Sequence, residues 1–257
     1  MTDPLAEPDD ATPLTEEERN SLLLPLFNRK ELNRVEAENI SRARSWLLFS
    51  RRRLRPESVA DERWLKDLHR RMYAEVWAWA GEYRTTEKNL GVAHWQIRID
   101  MRDLEADVQA WLGDSSTAAY EDDELAIRFG YRLVAIHPFP NGNGRWSRLA
   151  SDALIVALGG KPFTWGGGLL IDPGALRRSY ISALQTADAN QDFAPLVSFA
   201  RSGSNWRAPH NVESLGVIPP ESSRLMTTPR AGRAAPASGR PGGSPPRRAR
   251  CVVTIGS

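Results

Sequence analysis

Apolar residues recur at helical spacing through most of the chain, and the interruptions mark the elements. Leu32, Val35, Ile40, Ala43 and Leu47 fall along one face, which predicts a helix from Asn28 or Asn33 to about Phe49. The cluster Arg51-Arg52-Arg53-Leu54-Arg55-Pro56 stops it. Asp61 is placed to cap a second helix carrying Leu65, Leu68, Met72, Val76 and Trp79, with Gly81 as its end. From Tyr83 to Ile99 the period is lost, and Asn89-Leu90-Gly91 reads as a turn between short extended segments, a small hairpin. Helical spacing returns with Leu104, Val108, Trp111 and Leu112, up to Gly113. Asp122 or Asp123 then caps a helix carrying Leu125, Phe129, Leu133 and Ile136. A further apolar run, Leu149 to Leu158, precedes a loop over 159–171. Asp172-Pro173 has the form of an N-cap followed by proline in the first turn, with Leu176, Tyr180 and Leu184 behind it. Leu196, Val197 and Phe199 define a last helix.

The ends of the chain read differently. Residues 1–20 are polar and expected to fray. Residues 207–257 hold eight of the 18 prolines and eight arginines against two acids, a net +6; the whole chain carries +2, so the rest carries −4. Such a segment has too few large apolar groups to offset the entropy of ordering, so residues 203–257 are expected to be a disordered basic tail. The tail's charge could attract nucleic acid or an acidic surface, but a solvated extension is the simpler reading. The mildly acidic remainder carries no nucleic-acid footprint. The lone Cys251 permits no internal disulfide. There is no apolar run long enough to span a membrane and no signal-peptide pattern at Met1–Asp10. A cytoplasmic location is expected. The chain divides into a polar segment (1–28), an N-terminal helix (29–58), a core (59–202) and the tail (203–257).

The candidate chemistry is concentrated between the helix ending at Ile136 and the run from Leu149. His137-Pro138-Phe139-Pro140-Asn141-Gly142-Asn143-Gly144-Arg145-Trp146-Ser147-Arg148 combines a base that titrates near neutrality with a Gly-rich loop entering a helix. Such a helix start offers backbone N–H groups and a positive dipole end, both suited to phosphate. Arg145 and Arg148, three apart, share a helix face and can neutralise phosphates with forked hydrogen bonds. The combination suggests phosphoryl or nucleotidyl transfer. The other histidines, His69, His94 and His210, are read as structural, and no zinc-binding spacing is present.

The twelve residues resemble the motif of the Fic (Fic/Doc) family, His-x-Phe-x-(Asp/Glu)-Gly-Asn-Gly-Arg-x-x-Arg. Matches fall at His137, Phe139, Gly142, Asn143, Gly144, Arg145 and Arg148, and Trp79-Ala80-Gly81-Glu82-Tyr83-Arg84 resembles the approach to that family's flap. The layout is similar to the small Fic proteins called mobile mystery protein B. The resemblance implies a mainly α fold, a helical bundle with a small β-hairpin flap. It also implies transfer of AMP from ATP to a Ser, Thr or Tyr hydroxyl of a target protein, in a toxin-like protein. His137 would then be the base, Gly142, Asn143, Gly144, Arg145 and Arg148 would hold the nucleotide, and the flap would align the target. Where the family has Asp or Glu for Mg²⁺, this chain has Asn141, a neutral and weaker ligand. An inhibitory helix of the form (Ser/Thr)-x-x-x-Glu-(Gly/Asn) is best matched by Arg34 to Asn39, which makes Glu38 the regulatory candidate. A small helix-turn-helix protein is the implied genetic partner. Phosphate transfer on the same fold, or nucleotide binding without transfer, are the alternatives.

Overall fold

The computed structural model describes residues 15–25, 28–50, 54–113, 119–167 and 173–203. Their architecture is mainly helical. The helices are α1 (Glu16–Asn20), α2 (Arg29–Ser50), α3 (Pro56–Val59), α4 (Glu62–Tyr73), α5 (Ile97–Leu112), α6 (Asp122–Ile136), α7 (Asn143–Ala157), α8 (Pro173–Asn190) and α9 (Ala194–Arg201), with a 3₁₀ turn at His94–Gln96 leading into α5. No helix among them is long and apolar enough to cross a membrane.

The centre is the antiparallel pair α6 and α7, joined by the motif loop. Phe129 and Leu133 of α6 and Trp146, Ala150 and Leu154 of α7 are buried in one core. The two backbones approach closely because residue 130 is glycine. A Cβ there would lie 2.0 Å from Ser151 Oγ. α2 packs on α4, α4 on α7, α5 on α6, and α9 on both α6 and α8, and Arg145 near the start of α7 reaches Glu36 of α2.

Several predicted elements form as the pattern indicates. Asn28 Oδ1 accepts the Glu31 N–H at 3.0 Å and starts α2, and Asp61 Oδ1 accepts the Trp64 N–H at 2.9 Å to start α4. Four local expectations are corrected. α4 ends at Tyr73 rather than Gly81, because the chain turns there to pair with the N-terminal segment: the Leu23 N–H donates to the Val76 carbonyl at 2.8 Å and the Ala78 N–H to the Ser21 carbonyl at 3.0 Å. Val76 and Trp77 stay buried across that turn, which is why the apolar period runs past the helix. Residues 16–20 are helical rather than frayed, held by a Thr15–Glu18 capping box. Pro56 opens the short α3, which the arginine cluster concealed. Finally, no strand forms among the described residues; a single antiparallel bridge joins Leu22 and Trp77. The hairpin expected within Tyr83–Ile99 does not form: residues 83–93 are an irregular loop whose arms bond to the motif and to a side chain instead of to each other, and residues 94–99 are helical. The Asp172 cap and the tail expected to be disordered (residues 204–257) lie outside the described residues.

Candidate active site

α6 stops at His137 because that residue adopts a left-handed conformation, φ 54°, with its N–H donating to the Leu133 carbonyl at 3.2 Å. The turn aims the chain into the loop, and Phe139 anchors it, fully buried against His69 and Trp146. Asn143 closes the loop. Its Oδ1 accepts the Phe139 N–H at 3.0 Å and its Nδ2 donates to the Phe139 carbonyl at 2.8 Å. Its amide, expected to meet phosphate, thus clamps the motif across four residues.

Gly142 caps α7 at φ 80°, and a Cβ there would lie 2.6 Å from Tyr73 Cζ. Only glycine meets both demands. Gly144 is different: a Cβ on it would meet no atom within 4 Å beyond its own helix and neighbours. Protein packing therefore leaves space beside the first turn of α7, and no side chain caps that turn.

His137 is buried, with 6% of its surface exposed. Burial first, then the charge of Arg84, lowers its pKa from 6.5 to about 4, while a hydrogen bond to the Val134 carbonyl works against them. The bond to Val134 uses one ring nitrogen as donor, which leaves the other as an acceptor in the neutral ring. At neutral pH the His137 imidazole is therefore unprotonated.

The two motif arginines go to different neighbours. Arg145 Nη1 donates to Glu36 Oε2 at 2.8 Å, and Glu36 Oε1 accepts the Trp77 indole N–H at 2.8 Å. The Arg148 guanidinium lies 5.1 Å from the centre of the Tyr180 ring. Glu38 does not reach the motif: it is exposed on α2 and paired with Arg34 at 2.6 Å. The carboxylate at a motif arginine is Glu36, two residues earlier on the buried face, and its partner is the first arginine. Asn141 turns its Oδ1 to the Gly142 N–H at 2.5 Å.

Two site residues escaped sequence reasoning. His69 of α4 is fully buried; its Nδ1 accepts the Gly81 N–H at 3.0 Å, so Nε2 carries the proton donated to the Asn141 carbonyl at 3.2 Å. Desolvation lowers its pKa to about 3. The expectation that it is structural fits this geometry, but the structure it holds is the motif loop. Arg84 is the other, buried behind His137. The signal for both was Tyr83-Arg84 and His69 standing in segments of otherwise ordinary polarity, which is too weak to single them out.

Residues 59–155 match the family described as the Fic/DOC family. Relatives include the protein adenylyltransferase fic-1 of Caenorhabditis briggsae, 32% identical over 125 residues, or 49% of this chain and 23% of that protein. The protein adenylyltransferase Fic of Culex quinquefasciatus is 31% identical over 136 residues, or 52% of this chain and 26% of the relative. The chain thus spans about a quarter of the length of these curated relatives. Among solved structures, a fragment of Fic-1 from Caenorhabditis elegans covers 71% of this chain and 51% of its own length, with 26% identity and a TM-score of 0.53. The N-terminal Fic domain of a VirB-translocated effector from Bartonella sp. AR 15-3 covers 72% and 86%, with 19% identity and a TM-score of 0.54, a likeness of fold.

Proposed function

We propose that this Fic/DOC domain transfers AMP from ATP to a Ser, Thr or Tyr hydroxyl of a target protein, with His137 as general base. The observation that carries the reading is the neutral, buried imidazole of His137, tied by one ring nitrogen to Val134, beside a helix start whose Gly144 side is open. In the step, the acceptor hydroxyl oxygen attacks the α-phosphorus, His137 takes the hydroxyl proton, and pyrophosphate leaves as the new phosphodiester forms. The N–H groups at the start of α7 and the guanidinium groups of Arg145 and Arg148 stabilise the charge on the phosphates. Gly142 and Asn143 act at one remove, by shaping the loop.

Mg²⁺ enters this reading through the nucleotide. Asn141 Oδ1 is neutral and accepts the Gly142 N–H, so it would be a weak ligand for the metal. Among the described residues there is no cluster of three His, Cys, Asp or Glu. The resemblance to mobile mystery protein B supports a toxin-like, cytoplasmic protein with a small helix-turn-helix partner as part of the same proposal.

A second reading, a nucleotide-binding module with little transfer, is favoured by Glu36, which occupies Arg145. Incubating the full chain with α-labelled and γ-labelled ATP in lysate separates the possibilities. Label on protein from α-labelled ATP alone, lost in His137→Ala, supports AMP transfer. Label from γ-labelled ATP alone means phosphate transfer, and nucleotide binding with no label means a binding module.

A further inference from the structure

The loop over 84–93 is attached to the motif at three successive carbonyls. The Val92 N–H donates to Ile136 at 3.3 Å, Arg84 Nε donates to His137 at 2.8 Å, and the Arg84 N–H donates to Pro138 at 2.9 Å. The Arg84 side chain is wholly excluded from solvent. Its remaining donors go back into its own loop, Nη1 to the Thr86 carbonyl at 2.8 Å and Nη2 to the Val92 carbonyl. One guanidinium therefore joins both arms of the loop to the residue proposed as the base. The contact is tight: a Cβ on Gly91 would lie 2.4 Å from His137 Cβ. It is also the restraint on a left-handed, non-glycine residue at φ 54°.

We infer that Arg84 is the positioning residue for His137, fixing its backbone through the carbonyl of residue 137 and placing a cation beside it. The fork of donors is what the position needs, since a lysine ammonium on a flexible stem cannot serve three carbonyls in one plane. The other charges around His137 leave Arg84 dominant. Lys88 also opposes protonation but is held by Glu18 of α1 in a nearly buried pair. Glu87 lies 3.9 Å from Arg84 Nη1, is 60% exposed, and is engaged by His94 at 2.6 Å. A carboxylate there offsets part of the Arg84 charge without touching the imidazole.

This inference rests on His137 being the base of the proposed transfer, so the test has an arm independent of activity. In the full chain, the His137 imidazole is titrated by NMR in wild type, Arg84→Gln and Arg84→Lys, with His137→Asn assigning the resonance. Arg84→Gln should raise the His137 midpoint by about one unit or more, and Arg84→Lys should leave it low. In the transfer assay, both variants should lose kcat, Gln on the order of a hundredfold, with KM for ATP little changed, because the base is displaced while the nucleotide contacts stay. The acid limb of the Gln variant should move to higher pH by the same interval as its NMR midpoint. An unchanged midpoint in Arg84→Gln overturns the electrostatic role. Wild-type kcat in Arg84→Lys overturns the positioning role, and this arm stands even where the Gln variant does not fold. Absence of transfer in wild type sinks the functional reading and leaves the NMR arm to decide on Arg84.

Discussion

Glu36→Gln tests whether the N-terminal helix restrains the site, and the structure sets the size of the effect. Glu36 and Arg145 meet at 2.8 Å with side chains 6% and 36% exposed. A buried hydrogen bond to a charged group contributes about 1.5–3 kcal/mol, and an exposed ion pair about 0–1 kcal/mol. The Arg145 side is more than a third in water, so the pair is discounted to about 1–2 kcal/mol. A nucleotide whose phosphates recruit Arg145 must first break or share this pair. Removing the carboxylate charge therefore tightens nucleotide binding by the same amount, about 5- to 30-fold. Glutamine is chosen because its amide oxygen still accepts the Trp77 indole N–H, now 2.8 Å from Glu36 Oε1. Calorimetric titration with a non-hydrolysable ATP analogue gives the Kd, and label from α-labelled ATP gives the transfer. Glu38→Gln is the control, since its carboxylate is engaged by Arg34 on the solvent face, and it should change neither. A Kd for Glu36→Gln within about twofold of wild type would refute the competition, because a free energy that small is less than the pair's lowest value here.

Four further outcomes follow from the same geometry. Asn141→Asp places a charge where the amide oxygen now accepts the Gly142 N–H and should lower the Mg²⁺ concentration needed for transfer; an unchanged requirement in a Mg²⁺ titration removes position 141 from metal binding. Burial lowers the His69 pKa from 6.5 to about 3, so the unfolded chain protonates first and stability is lost as pH falls from 6.5 towards 3. At pH 5 the loss from this group is about 2 kcal/mol. His69→Gln should flatten the slope of melting temperature between pH 7 and 5 without abolishing it, since His137, lowered to about 4, contributes with the same sign; an unchanged slope overturns the assignment. Gly142→Ala meets Tyr73 at 2.6 Å and a φ of 80° and should lower the unfolding free energy measured by denaturant titration by about 1–3 kcal/mol from backbone strain alone. Gly144→Ala meets no atom within 4 Å and should fold normally while weakening nucleotide binding, which a Kd measurement decides.

What the sequence made legible is what periodicity and short-range spacing can carry. The stripe from Leu32 to Leu47 and that from Leu125 to Ile136 become the buried faces of α2 and α6 because burial is what those spacings encode. Asp61 caps because a side chain one turn from a backbone N–H needs no tertiary information. The readings that failed are those set by distant partners. Val76 continues the helical period, yet its carbonyl is claimed by Leu23, fifty residues earlier, and the helix ends. The loop at 83–93 looked like two short strands, but the hydrogen bonds that strands would exchange are taken by Arg84 and by the carbonyls of Ile136 and Pro138. Glu38 fitted a motif written along the chain; Glu36 is the residue that faces the core, because it lies one helical turn from the buried Leu32 and Asn39.

The same distinction explains the organisation of the site. The twelve residues from His137 to Arg148 hold the proposed base, the helix start and the cations, all within one turn and one helix. Their regulation of position comes from elsewhere: His69 on α4 holds the loop through the Asn141 carbonyl, and Arg84 holds His137. Two carboxylates ahead of residue 59, where the family match begins, reach the cationic parts of the site. Glu18 pairs with Lys88 on the loop beside His137 and also accepts the Thr86 hydroxyl, at 3.2 Å. Glu36 pairs with Arg145. Both carboxylates sit in half-dry surroundings, where the attraction is stronger than at a free surface and each cation is drawn away from a phosphate that would otherwise recruit it. The N-terminal segment therefore holds one cation of the loop beside His137 and one of the motif helix. A phosphate chain that enters the proposed nucleotide site must compete electrostatically with groups that the matched domain does not itself contain.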